Sequence, residues 1–182
     1  LPASLRAEPQ GDLFSAAAAE TAASEGPSLE SLELRLHDVR ARAVHGLAVV
    51  PVTFGEEPRH ASLVGLALAA RDGTAAYLPL AHEGGPNFPM EQVRLWLAPL
   101  FLDRNIPKVA PDLKGAMHTL AAHQLPIAGG VFDLHVASFV CDPERNHSLE
   151  RLAADVLGVT LSGIEPAAVR GRTRLGPWFP YV

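Results

Sequence analysis

The sequence predicts an α/β domain built on a mixed five-stranded sheet with helices on both faces. One observation is a group of three apolar strand-like runs, two of which are joined by the tight turn Arg71-Asp72-Gly73. A second is that two short strand patterns further along the chain are each followed at once by a helical pattern, as in parallel crossover connections. Composition is the third, because 182 residues with 48% hydrophobic and 19% charged side chains suffice for one domain with a buried core.

Residues 1–27 differ in composition from the rest of the chain. They are rich in Ala, Ser, Glu, Gly and Pro and show no sustained apolar period, so we predict a linker or flexible arm. An arm at this position leads us to expect a further segment before it in the full gene product. The predicted folded domain is therefore 28–182.

The first half of this domain predicts one helix followed by three strands. The helix covers 28–44, and either Ser28 or Ser31 is placed to cap it. Its apolar face is predicted to consist of Leu32, Leu34, Leu36 and Val39. The strands are predicted at 47–53, 62–70 and 74–80. The middle strand is apolar on both faces, which is typical of a strand that is covered on both sides.

The second half alternates helices with short strands. The helix predicted at 90–102 is expected to bury Val93, Leu95, Trp96 and Leu100. The elements predicted after it are a strand at 107–110, a helix at 112–123, a strand at 126–132 and helices at 134–141 and 148–157. Asp133 and Ser148 are placed to cap the last two helices, and Gly158 to end the final one.

Charge and cysteine content exclude several classes of protein. The formal net charge of -5 argues against a strong stand-alone nucleic-acid-binding domain, because such domains carry a basic face. Cys141 is the only cysteine, which excludes an internal disulfide framework and a multi-cysteine zinc site. We expect a reducing, cytoplasmic setting. No apolar run reaches the ~18 residues of a membrane span, so no membrane partner is expected.

Three sequence segments occur in order over much of the chain. They are LVGLALAARDGTAAYLPLAHEGG at 63–85, IPKVAPDLKGAMHTLAAHQLPIAGGVFDLHVASFVCDP at 106–143 and HSLERLAADVLG at 147–158. Together they resemble the 3′–5′ exonuclease (proofreading) domain of bacterial DNA polymerase I, family A. The resemblance implies a ribonuclease H-like fold, which has the element order predicted above. It also implies a position beside a polymerase module in a longer protein of DNA replication and repair, associated with the nucleoid.

The chemistry implied by this resemblance is phosphodiester hydrolysis by two divalent ions that are held by carboxylates. Family members carry Asp-x-Glu followed by Thr in the first strand. An ungapped match places these two acids at Val50 and Val52, with the Thr at Thr53. The family's Asn-Leu-Lys-x-Asp falls on 112–116, which places the third acid at Ala116.

The resemblance therefore implies that this chain has no catalytic residues, because the three positions that can be compared carry Val, Val and Ala. The family's last motif, a Tyr with an Asp, is expected beyond Val182, so the C-terminal part of the domain is expected to be truncated. We predict a degenerate, inactive exonuclease-like domain that serves as an architectural module of a DNA-directed DNA polymerase. No cofactor is expected in this domain, whereas Mg²⁺ is expected for the parent polymerase.

Two other functions stay open. One is an active metal-dependent 3′–5′ exonuclease whose ligands are rebuilt from Asp112, Glu56 and Asp133, although Asp112 and Asp133 also suit helix N-caps. The other is a protein-interaction module that holds the adjacent polymerase domain.

Candidate DNA contacts mix basic and aromatic residues, a combination that suits phosphate contact with base stacking. They are Lys114, Arg170, Arg172, Arg174 and Trp178.

Overall fold

The structure of the chain, a computed structural model, describes residues 28–55, 57, 59–82 and 86–161. Five strands in this part form one sheet: β1 (Leu47–Phe54), β2 (Ser62–Ala70), β3 (Ala75–Pro79), β4 (Lys108–Ala110) and β5 (Val131–Asp133). Their order is β3-β2-β1-β4-β5. The first three strands pair antiparallel, and β4 and β5 continue the sheet parallel to β1. The predicted mixed five-stranded sheet is confirmed.

Five α-helices lie within the described residues: α1 (Leu29–Arg42), α2 (Met90–Leu102), α3 (Leu113–Ala122), α4 (Leu134–Cys141) and α5 (Leu149–Leu152). A 3₁₀ turn follows α1, and a π-helical turn at Ala153–Leu157 continues α5 up to Gly158, which has a left-handed φ of 69°. The caps follow from local chemistry, since a short polar side chain can accept a bond from an unpaired amide of the first turn. The side chains that do so are those of Ser28, Asp112, Asp133 and Ser148.

The main core forms where α1 and α2 pack on the antiparallel strands. Its fully buried members include Val39, Leu47, Leu66, Leu97 and Phe101. A second, smaller apolar cluster lies where β4 passes into α3 and consists of Ala110, Leu113 and Ala116. No helix in the described ranges is both long enough and apolar enough to cross a membrane.

Two predicted core positions are wrong, and both lie on helices. Leu34 is 64% exposed and Leu95 is 78% exposed. Each lies two residues from buried neighbours of its own helix, and two residues turn an α-helix through about 200°, which places the side chain on the opposite side. The buried side of α2 instead includes Leu97 and Phe101 beside Val93.

The strand predicted at 126–132 is also shorter than expected, since β5 contains only Val131–Asp133. Gly129 has a φ of 96°, which is outside the extended region. The amide of Ala128 donates to the carbonyl of Phe101 rather than to a strand. Residues before β5 therefore serve to connect the sheet to the end of α2.

Lys108 of β4 reinforces this connection. Its side chain is fully buried, and its Nζ donates to the carbonyl of Asp103 and, at 2.9 Å, to that of Ala128. Burial lowers the pKa of Lys108. The ammonium nevertheless lies at the C-terminal end of α2, where the helix dipole favours a positive charge.

Candidate functional site

A cavity of about 200 Å³ lies at the carboxyl ends of β1 and β4, against the first turns of α3. It is lined by Val50, Pro51, Thr53, Gly55, Ala110, Pro111, Asp112, Gly115, Ala116 and Thr119. Chain connectivity changes direction here, because β1 pairs with β2 on one side and with the later strand β4 on the other. Crevices of this kind are where open α/β sheets bind ligands. We call it the β1–α3 cavity.

Two of the three positions implied for catalytic acids meet in this cavity. Val50 comes from β1 and Ala116 from α3, and both line it. Val52 lies two residues further along β1, on the same strand face as Val50, and is not among the lining residues. The parallel pairing of β1 with β4 brings α3 to this edge, so positions far apart in the sequence become neighbours.

Asp112 is the one ionisable residue among the described residues that line the cavity. It caps α3: its Oδ1 accepts a hydrogen bond from the Gly115 amide at 2.9 Å. A Cβ added at Gly115 would lie 2.2 Å from Oδ2 of Asp112. The carboxylate is thus held directly against the backbone of the first helical turn.

Asp133 lies beside the same helical turn but has a different role. Its Oδ2 accepts from the Leu113 amide at 2.8 Å, and its Oδ1 accepts from the Val136 amide at 3.0 Å. One carboxylate therefore caps α4 and also bonds the first residue of α3. Asp133 thus bonds the residue that follows Asp112 in the sequence, but it does not line the cavity.

The donor set at the cavity does not fit a divalent metal ion. Mg²⁺ takes oxygen ligands in near-octahedral geometry and is usually held by one or two carboxylates together with water and substrate oxygens. The described lining offers the single carboxylate of Asp112, which already bonds a backbone amide. Across the described ranges there is no group of three or more His, Cys, Asp or Glu side chains that could hold a metal ion. Glu56, the third member of the rebuilt ligand set, lies outside the described residues.

A buried polar pair close to the site was not anticipated from the sequence. The Tyr77 hydroxyl and Nε2 of His82 are 2.8 Å apart, and both side chains are buried. A Cβ at Gly65 would lie 1.7 Å from that hydroxyl, so the ring of Tyr77 passes over Gly65. Gly65 is in turn the β2 partner of Val52. A glycine inside an apolar strand is the signal that could have indicated this close approach.

The predicted DNA contacts are only partly within the described residues. Lys114 is exposed on α3 and does not line the cavity. The remaining candidates, Arg170, Arg172, Arg174 and Trp178, lie outside the described residues. The DNA-contact assignments therefore stay predictions.

Comparison with known proteins gives consistent matches in sequence. A family model described as 3′-5′ exonuclease matches residues 55–174. DNA polymerase I of Pseudomonas aeruginosa is 33% identical over 129 residues, which cover 68% of this chain and 14% of that protein. DNA polymerase I of Synechocystis sp. is 32% identical over 115 residues, which cover 59% of this chain and 12% of that protein. The chain thus spans about one seventh or less of these curated relatives.

Solved structures match the fold as well. The POL domain of Pol1 from M. smegmatis, in complex with DNA primer-template and dNTP, matches with a TM-score of 0.52 and 26% identity, covering 78% of this chain and 23% of that chain. NrnC of Brucella melitensis matches with a TM-score of 0.56 and 23% identity, covering 68% and 57%. RNase D of Trypanosoma brucei matches with a TM-score of 0.60 and 14% identity, covering 78% and 49%.

The range of the family match bears on the implied catalytic positions. The match begins at residue 55, directly after β1, and so includes Ala116 but not Val50 or Val52. The assignment of the first two acids to Val50 and Val52 therefore stays a prediction. Its geometric support is that Val50 and Ala116 share one cavity.

Proposed function

Since the chain belongs to the 3′–5′ exonuclease family of DNA polymerase I and has its ribonuclease H-like fold, we propose that it is a non-catalytic member that acts as an architectural module. In this role it is part of a longer polymerase of DNA replication and repair. The domain keeps the sheet and the cavity of the family but does not hydrolyse DNA.

The observation that carries this proposal is the composition of the β1–α3 cavity. Val50 and Ala116 supply apolar surface where the family chemistry needs carboxylates. Side chains of this kind pack at the end of a sheet without leaving unpaired charge. With a single carboxylate, the described lining of the cavity lacks the ligands for two-metal hydrolysis. On this proposal the domain itself needs no metal ion, and Mg²⁺ serves the polymerase part.

An architectural role is supported by a second feature, the exposed apolar side chains of β5 and α4. It comprises Val131, Phe132, Val136, Phe139 and Val140, all of which are exposed. We call it the β5–α4 face. The only buried residue of α4 is Ser138, so this short helix turns its apolar side outward. Exposed apolar surfaces of this kind usually mark a binding interface.

The proposed occupant of the β5–α4 face is the polymerase part of the longer protein. The relatives are DNA polymerases of which this chain spans 14% or less, so this domain adjoins other domains in them. None of the five residues of the face is charged, which suits a stable interface between domains. DNA is then a partner mainly through the polymerase part, with Lys114 as a candidate direct contact.

Nucleotide release from a 3′-labelled single-stranded oligonucleotide tests the lack of catalysis. The chain is incubated with Mg²⁺ and then with Mn²⁺, and we expect no release above background. The double variant Asp112→Asn with Asp133→Asn is the matched control, because it removes both described members of the rebuilt ligand set. Metal-dependent release by the unaltered chain that disappears in this variant would contradict the proposal and establish a rebuilt nuclease site.

A further inference from the structure

The N-terminus of α3 opens into the β1–α3 cavity, where it would be expected to attract an anion. Asp112, Gly115 and Ala116 all line the cavity, and they belong to the cap and first turn of this helix. Free amides and the helix dipole make such a position favourable for a phosphate. Here the negative charge is already supplied from within the chain, because the Asp112 carboxylate accepts from the Gly115 amide.

This position of the carboxylate is possible because residue 115 has no side chain. With a Cβ at Gly115 only 2.2 Å from Oδ2, any other residue would push the Asp112 carboxylate away from the helix. Although Asp112 is exposed to solvent, its charge is thus held at the wall of the cavity. Gly115 leaves the space in which the Asp112 carboxylate lies, and Asp112 supplies the charge.

No cation compensates this charge within the described lining. Apart from Asp112, the lining residues are uncharged: Val50, Pro51, Thr53, Gly55, Ala110, Pro111, Gly115, Ala116 and Thr119. Lys114 is two residues from Asp112, a spacing that does not place side chains on the same helix face. Among the described lining residues, a phosphate entering the cavity would therefore meet a like charge without a compensating one.

We propose that Asp112 makes the β1–α3 cavity exclude phosphate groups, so that the 3′ end of a DNA strand does not enter it. Asp112 is then a specificity-determining residue of the cavity, and it acts by repulsion. The inference rests on the proposed function in one respect, namely that the cavity occupies the place of the family's catalytic site. It goes further in stating that the cavity rejects the nucleic acid as well as failing to cut it.

Fluorescence anisotropy of a 3′-labelled single-stranded oligonucleotide at low ionic strength tests this inference. Asp112→Asn removes the charge and keeps a good N-cap, as does Asp112→Ser. We expect either variant to bind the oligonucleotide about two- to fivefold more tightly than the unaltered chain, since a single exposed charge has an effect of this size at low salt. The control Asp38→Asn makes the same change of net charge at an exposed position on α1 that does not line the cavity.

The comparison with Asp38→Asn distinguishes repulsion of the oligonucleotide by Asp112 in the cavity from a general effect of net charge on binding. Tighter binding by both Asp112 variants, with Asp38→Asn unchanged, supports the inference. Equal affinities in the Asp112 and Asp38 variants, or no measurable binding by either Asp112 variant, would overturn it. Thermal unfolding of each variant confirms that folded proteins are compared. Nucleotide release from the same oligonucleotide is followed in parallel, because release by the unaltered chain would contradict the proposed function whatever the affinities are.

Discussion

At Gly65 the lack of a side chain allows a tyrosine ring to cross the strand and reach a histidine. The Tyr77 hydroxyl and His82 Nε2 form a buried hydrogen bond of 2.8 Å directly over this position. The backbone of His82 is held in addition by Asn87, whose Oδ1 accepts from the His82 amide and whose Nδ2 donates to its carbonyl. The end of β3 and the following turn thus depend on one glycine in β2.

Gly65→Ala is expected to destabilise the fold by about 2–4 kcal/mol, since the new methyl group forces the tyrosine ring to move and the buried hydrogen bond is lost. The free energy of unfolding in urea measures the effect. Gly130→Ala is the matched control, because a Cβ there meets nothing within 4 Å and no positive φ opposes it. Losses of equal size in the two variants would show that the Tyr77 contact is not the cause.

The turn between β2 and β3 contains a second residue whose effect depends on charge. Asp72 accepts from the Thr74 amide at 3.0 Å and pairs with Arg42 of α1 at 2.8 Å. The hydrogen bond from Arg42 and those from Thr74 lower the pKa of the Asp72 carboxyl from 3.8 to about 2. The ion pair therefore joins the hairpin to α1 whenever this carboxyl is ionised.

Because the folded-state pKa of Asp72 is depressed, its contribution to stability is complete above pH 3.8 and is lost as the pH falls to about 2. Asp72→Asn is expected to be less stable than the unaltered chain at neutral pH, and the difference should shrink through this window. Urea unfolding at a series of pH values measures both curves. A difference that stays constant from neutral pH to pH 2 would contradict the assignment. Glu33→Gln, which removes an exposed carboxyl from the same helix as Arg42, is the control.

At the scale of elements, α3 and α4 are joined at their starts by one side chain. Asp133 bonds the first amide of α3 and caps α4, so both helices depend on the same carboxylate. Ala110 and Asp133 are partners in the parallel pairing of β4 with β5. The carboxylate thus fixes where both helices leave the sheet.

Asp133→Ala is expected to lower the free energy of unfolding by about 1–3 kcal/mol, because two backbone amides lose their acceptor. Hydrogen exchange gives the more specific result, since the amides of Leu113 and Val136 should both lose protection. Glu33→Ala, at an exposed acid on α1, should change neither stability nor these two amides. Loss of protection at Val136 alone would show that Asp133 caps α4 without supporting α3.

Local signals explain why most elements could be predicted from the sequence. Ser28, Asp112, Asp133 and Ser148 cap helices with their own side chains, and this chemistry is readable from a few neighbouring residues. The first and last residues of β5 could not be predicted from neighbouring residues in this way. They depend on the bond between Ala128 and Phe101, which are 27 positions apart and meet only after folding.

The candidate site was predictable to a smaller extent, because a cavity depends on contacts between distant segments. The resemblance indicated Val50 and Ala116, and the parallel pairing of β1 with β4 brings them together. The effect of Gly115 on Asp112 could not be predicted, since it follows from the rotamer of one carboxylate. Nor could the pairing of Tyr77 with His82, because no spacing rule relates the end of a strand to its following turn.

On the scale of the whole molecule, apolar side chains are distributed unevenly. The antiparallel side of the sheet has a continuous core, whereas at the other edge the β5–α4 face is open to solvent. β5 is the last strand in the sheet order, and all three of its residues are at least partly exposed. Within the described residues, the edge that carries α4 therefore offers apolar surface for contact with another domain.

Replacing Val136 and Val140 together by Lys should abolish binding to the polymerase part without lowering the stability of the domain. These side chains are 59% and 76% exposed, so we expect the free energy of unfolding to change by less than about 1 kcal/mol. Binding to the polymerase part of the longer protein, followed by sedimentation velocity, should be lost because two charges would be desolvated in an apolar interface. Leu34→Lys with Val44→Lys is the matched control, since it adds the same charge at comparably exposed positions in α1 and the 3₁₀ turn after it. Equal binding by both double variants would show that this face does not contact the polymerase part. Self-association of the unaltered chain that the α4 substitutions abolish would instead assign the face to a second copy of the chain.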